Sequence, residues 1–164
     1  MKILAIDPGF ERIGIAILEK SEKVKETLLY SECFKTSAKL SHPERLQLIG
    51  EKISEIIKKY KPTVLSIEKL FFNTNTTTAL GVAEARGVII YEASLAKLKV
   101  FEYTPLSVKV AVTGYGRSEK KQMMSMIPKL IHIEKKISSD DEFDAIALGL
   151  TFCASDFHNK KLAK

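Results

Sequence analysis

A chain of 164 residues with 45% hydrophobic and 28% charged content can bury one substantial core, which excludes a disordered tail or a string of minimal domains. Its formal net charge of +6 favours polyanionic partners without separating nucleic acid from an anionic surface. No apolar run reaches the ~20 residues needed to cross a bilayer, and no leader pattern follows Met1. Cys33 and Cys153 lack metal-ligand spacing, so both are expected to be buried, reduced thiols in a cytoplasmic protein.

Three strands come first, Ile3–Asp7, Ile13–Glu19 and Val24–Phe34, and their short connections imply antiparallel neighbours. Ser41-His42-Pro43-Glu44 is a capping box with proline in the first turn. It opens a helix whose apolar positions, Leu46, Ile49, Ile53, Ile56, Ile57 and Tyr60, recur at helical spacing until Lys61-Pro62. The buried strand "TVLSIE" follows and finishes at Glu68. A helix from about Thr76 to Leu98, a strand at Val100–Tyr103 and a short helix opened by Thr104-Pro105 come next. "TGYGRSEKK" is the most loop-like and basic stretch. A methionine-rich helix follows, which Pro128 should end or kink. The last helix runs from Ser139, its N-cap, to about Phe157, with Glu142 at the capping-box position. Strands followed by alternating helices and strands make an α/β chain, a mixed sheet with helices on its faces. With no internal repeat and no dividing linker, residues 1–158 read as a single domain and residues 159–164 as a basic, flexible tail.

Four carboxylates stand out by placement. Asp7 ends the first strand and Glu68 the fourth, so neighbouring strands would put both at one end of the sheet. Asp141 and Asp144 lie three apart near the start of the last helix and share a face. Such a cluster would repel itself unless a cation sat within it, and carboxylate oxygens suit Mg²⁺ or Mn²⁺. Two such ions are a standard device for displacement at a phosphodiester. Asp140 and Glu142, by contrast, read as acids favourable to the helix dipole. Between Leu98 and Ile137 eight lysines or arginines face three glutamates around the Gly-x-Gly loop, a surface suited to phosphates.

The stretches "IDPGFERIGIAI", "IEKLFFNTN" running into "TALGVAEARGV", "FEYTPLSVKVAVTGYGRSEKKQM" and "DEFDAIALGL" resemble, in this order, the RuvC family of bacterial Holliday junction resolvases. The resemblance implies an RNase H-like fold with a five-stranded mixed sheet whose first three strands are antiparallel. It implies metal-dependent, symmetric nicking of two strands of a four-way DNA junction during homologous recombination and repair. The cofactor would be Mg²⁺, with Mn²⁺ as a substitute and two ions per site, held by Asp7, Glu68, Asp141 and Asp144. Partners would be junction DNA, a second copy of the chain and a branch-migration helicase of the RuvA–RuvB type, with no membrane. Lys109 and Lys120 match basic positions near the scissile strand and count with the catalytic set. Phe71 would stack near the crossover, with Phe72 packed inside, and Arg86, Arg117 and Lys121 complete the expected DNA contacts, Arg86 being equally a candidate for a dimer-interface or structural role. In Pro128, and in the short charged stretch before Asp141, the chain departs from the family's pattern. The alternatives are another RNase H-like nuclease, of the RNA-processing YqgF type, a phosphate-binding ATPase or sugar kinase, and a catalytically silent DNA-binding module.

Overall fold

Alternation along the first strand decides the architecture. In β1 (Lys2–Asp7), Ile3 and Ala5 enter one core while Leu4 and Ile6 enter another, and all four are fully buried. The same period of two divides β2 (Arg12–Glu19), where Ala16 and Leu18 face the first core and Ile13, Ile15 and Ile17 the second. A sheet apolar on both faces needs a helical layer on each. The computed structural model supplies them, describing all residues except 22–24, 71–75 and 163–164; the side chains of 76–78 and 156–162 also lie outside the description.

The antiparallel meander continues into β3 (Glu26–Lys35); the part of the expected strand at Val24 falls outside the described residues. Helix α1 (His42–Tyr60) starts as the sequence demands, with the Ser41 amide donating to Glu44 Oε2 at 2.7 Å and Pro43 in the first turn. It covers the second core with Ile49, Ile53, Ile56 and Ile57. Strand β4 (Val64–Glu68) then pairs parallel to β1, Ile6 opposite Ile67. Helix α2 (Thr76–Leu95) packs beside α1. It stops earlier than Leu98 because Lys97 takes a left-handed turn (φ 60), letting the Leu98 amide reach the Ala93 carbonyl at 2.9 Å while Leu98 is buried.

Strand β5 (Lys99–Tyr103) adds parallel to β4. Helices α3 (Pro105–Thr113), α4 (Lys120–Leu130) and α5 (Asp140–Leu162) cover the other face. The backbone of α5 runs into the stretch 159–164 read as a tail. Among the described residues the sheet has six strands rather than five, in the order β5-β4-β1-β2-β3-β6. The sixth, β6 (Ile131–His132), is two residues long and pairs with the start of β3. It arises where α4 ends: Pro128 lies within the last turn of α4, and the chain turns extended so that Ile131 is buried.

Parallel pairing of β1 with β4 and antiparallel pairing of β1 with β2 bring the ends of β1, β3, β4 and β5 and the start of β2 to one edge. A buried arginine ties down the loop leaving that edge. Arg45 donates to Thr36 Oγ1 at 2.9 Å and to the Phe10 carbonyl at 3.3 Å, and its guanidinium lies 3.8 Å over the Phe10 ring. Thr36 Oγ1 also donates to the Phe10 carbonyl, at 2.7 Å. Replacing Arg45 with Met keeps the apolar stem but removes both donors. Arg45→Met is expected to cost about 2 kcal/mol of stability, read by urea unfolding; a change near zero would show that the loop does not depend on this network.

Candidate active site

Asp7 and Glu68 end adjacent parallel strands, each one residue beyond the paired Ile6 and Ile67. The start of α5 reaches them through a gap in β2. Gly14 stands opposite Asp7, and a side chain there would overlap the backbone carbonyl of Asp141 and lie 3.2 Å from Asp7 Cβ. Glycine is therefore required for this close approach. Further along α5, Ser66 Oγ in β4 donates to the Leu148 carbonyl at 2.7 Å, and Gly149 packs flush against Leu18. The helix is seated across β4, β1 and β2 with its first turn over Asp7.

Charge at this edge is unbalanced. Burial pushes the Asp7 carboxyl up to about 8, with Glu68, Asp144 and Asp141 adding to the rise and Lys120 opposing it. Burial also raises Glu68, reinforced by Asp144. Asp141 moves the other way: burial would raise it, but hydrogen bonds from Arg12 and Cys33 hold it below its ordinary value. Arg12 pairs with Asp141 Oδ2 through Nη2 and through Nε at 3.1 Å, and Cys33 Sγ lies 3.3 Å from the same oxygen. Lys120 reaches Asp144 at 2.9 Å and Asp140 at 3.3 Å. Burial acts to lower the Lys120 amine, but these carboxylates keep it above its usual value. With two acids turned toward cations, no group of three or more His, Cys, Asp or Glu among the described residues closes on one coordination point. The donor set nonetheless fits a hard divalent cation. It is built of carboxylate oxygens around a half-buried Asp7 whose carboxyl is pushed up by burial and three neighbouring acids, an accumulation of negative charge that such a cation would relieve.

Two residues at this edge were not singled out by sequence reasoning. Gly14 interrupts an otherwise apolar strand, a signal of close backbone approach. Glu142 was read as a dipole acid at the capping-box position. Ser139 Oγ does accept the Glu142 amide at 3.3 Å, but the Glu142 carboxylate is buried rather than exposed. It accepts from Ser31 Oγ at 2.6 Å, Lys135 Nζ at 2.7 Å, Ser138 Oγ at 2.7 Å and the Ser138 amide at 3.2 Å. Burial would raise it, yet these donors hold it at about 2. Cys33 is likewise only partly buried, and burial and the Asp141 carboxylate raise its thiol; Cys153 is buried, and both are free thiols.

Among the expected DNA contacts, Arg117, Lys120 and Lys121 are exposed around the loop between α3 and α4, and Lys109 is half-buried on α3. Arg86 is turned inward instead: Nε donates to the Glu68 carbonyl at 3.1 Å and Nη2 pairs with Glu102. Desolvation there lowers its pKa, and its placement is that of a strut behind Glu68. Phe71 and Phe72 lie outside the described residues.

Two variants test how α5 is seated. Gly14→Ala is expected to cost about 2 kcal/mol by forcing strand and helix apart. Glu142→Gln is expected to cost ~2–3 kcal/mol by leaving Lys135 without its buried partner. Thermal and urea unfolding read both, and a loss under half a kcal/mol in either would remove that contact from the account.

Comparison with known proteins agrees with this layout. The family model described as Crossover junction endodeoxyribonuclease RuvC matches residues 3–152. A protein of that name from Alkaliphilus metalliredigens is 45% identical over 150 residues, covering 92% of this chain and 91% of the relative. Another, from Halothermothrix orenii, is 41% identical over 161 residues, covering 98% and 97%. The structure described as T. thermophilus RuvC in complex with Holliday junction substrate superposes with a TM-score of 0.90 at 26% identity, covering 97% of this chain and 96% of that one. The meander, the carboxylate edge and a match along nearly the whole length lead to one conclusion: the chain belongs to the RuvC family of crossover junction endodeoxyribonucleases.

Proposed function

We infer that this protein resolves Holliday junctions in homologous recombination and DNA repair, as a metal-dependent endonuclease that nicks two strands symmetrically. The observation that carries the reading is the half-buried Asp7, pushed up by its neighbours Glu68, Asp141 and Asp144 on the same edge, in a chain that the family model spans. That match also weighs against an RNA-processing nuclease, an ATPase or a sugar kinase.

Asp7, Glu68, Asp141 and Asp144 would hold the metal, which we assign as Mg²⁺, replaceable by Mn²⁺, with two ions per site. Bound there, such ions supply water activation and charge neutralisation at the phosphodiester. The protein's own groups do the rest. Arg12 and Cys33 orient Asp141 through its Oδ2 oxygen. Lys120 bridges Asp140 and Asp144 while half exposed, so its ammonium can hold phosphate charge beside the carboxylates. Lys109, Arg117 and Lys121 would bind neighbouring phosphates, and Phe71 would stack at the crossover. Arg86, in this reading, supports Glu68 from behind rather than contacting DNA. Hydrolysis adds water oxygen to phosphorus and breaks the P–O3′ bond, leaving religatable ends.

The stripe of exposed Leu80, Tyr91 and Leu95 on α2, with open space above Gly87, supports a homodimer with two active sites. A branch-migration helicase as partner, a cytoplasmic location, a single nuclease domain over residues 1–158 and a basic tail at 159–164 complete the proposal.

Asp7→Asn tests the core of it in two ways. Cleavage of a synthetic four-way junction in Mg²⁺ should fall by at least ~10³-fold, since the site loses a ligand, while junction binding persists. The same variant should change the pH dependence of stability. Asp7 has its folded pKa raised from 3.8 to about 8, so its contribution is fully present below 3.8 and lost as pH rises through about 8. Metal-free wild-type protein should therefore lose Tm relative to Asp7→Asn across that range, and Mg²⁺ at pH 8 should restore it in wild type alone. Full cleavage by the variant, or parallel Tm profiles, would contradict the role given to Asp7.

A further inference from the structure

Beside the carboxylates, on the side away from β4, an open cleft of about 480 Å³ lies between β2, β3 and the approach to α5. Arg12, Lys35 and Lys135 line it with Ser138 and Ser139. Its two acids are already matched: Glu142 is enclosed by Lys135 and serine donors, and Glu32 pairs with Lys52 at 3.0 Å. Donors remain after these pairings. Arg12 gives Nε and Nη2 to Asp141 and, with five N–H groups in all and its side chain half exposed, can take a further acceptor. Lys135 uses two of three donors, on Glu142 and the Ser31 carbonyl. Lys35 is exposed and forms no ion pair among the described residues. The cleft is thus polar, lined with unused N–H groups and short of anions.

Its position is informative. Arg12 starts β2 and stands opposite Lys35 at the end of β3, so both sit on the carboxylate edge. Lys120, which meets Asp140 and Asp144, comes from the opposite flank at the start of α4, with Lys121 next to it and Arg117 in the loop before. From β1 to β3 is two strand spacings, about 10 Å, or the span of two or three nucleotides.

We propose that the cleft formed by Arg12, Lys35, Lys135 and Ser139 is a phosphate-binding subsite for the DNA strand two or three nucleotides from the scissile bond. It rests on the nuclease reading above. The strand enters over the α3–α4 loop, crosses the carboxylates and is gripped again at the end of β3. Lys35 supplies a point charge on the phosphate, and Arg12 and Ser139 add directed donors.

The test compares Lys35→Ala with Lys58→Ala, which removes the same charge from an exposed position at the α1 end, on the opposite edge of the sheet. Binding of a labelled four-way junction without divalent metal is followed by anisotropy across a salt series. Lys35→Ala should weaken binding by roughly 3- to 10-fold and reduce the magnitude of the salt slope by about one, with Lys58→Ala close to wild type. Equal affinity and slope in both variants would overturn the subsite, as would inorganic phosphate binding that Lys35→Ala abolishes while leaving junction affinity unchanged. Failure of the wild-type protein to prefer a junction over linear duplex would instead refute the nuclease reading itself.

Discussion

The direct seating of the first turn of α5 on the end of β1, through the space that Gly14 leaves in β2, is the contact on which the working edge depends. Two carboxylates from strands and two from a helix can share that edge only if helix backbone and strand backbone nearly touch. The contact is held from both sides. Glu142 pins the helix start to β3 through Ser31 and to the preceding segment through Lys135 and Ser138, and Ser66 holds the helix to β4 further along. Acids at the sheet edge and an enclosed acid thus alternate within one helical turn: Asp141 and Asp144 meet Arg12 and Lys120 at the edge while Glu142 is enclosed by its own donors.

This arrangement stores a conflict. Asp7 is desolvated, has acidic neighbours and receives partial relief only from Lys120. A structure selected for stability alone would put an apolar or amide side chain there. Arg12 and Lys120 meet the helical acids, and Arg86 braces Glu68 through its carbonyl, so the cations present stabilise the surroundings and leave the centre wanting charge. That deficit prepares the edge to take up a cation, and it is tolerated because the fold around it is packed on both faces.

Much of this was legible in the residues. Capping at Ser41, the halt at Lys61-Pro62 and the period-two alternation of the early strands each have a local cause, and the structure follows them. The carboxylates could be singled out because an acid ending an apolar strand is conspicuous. What escaped is what depends on distant partners. Glu142 looks like a cap until Ser31, over a hundred positions earlier, is brought against it. Arg86 reads equally as a DNA contact, an interface residue or a structural one until β5 places Glu102 beside it. The two-residue β6 has no periodicity to detect and exists only because β3 offers an open edge. The halt of α2 at Leu95 turns on a left-handed Lys97, which composition does not announce.

The division of β1 and β2 between two cores has a further consequence. Among the described residues, the buried apolar side chains facing α1 and α2 form one cluster and those facing α3, α4 and α5 another, with the sheet between them. Apolar substitutions under α1 can therefore be absorbed within one core without repacking the helix that carries half of the acids. The sheet works as a partition between two separately packed halves, so that loosening one leaves the other's packing in place.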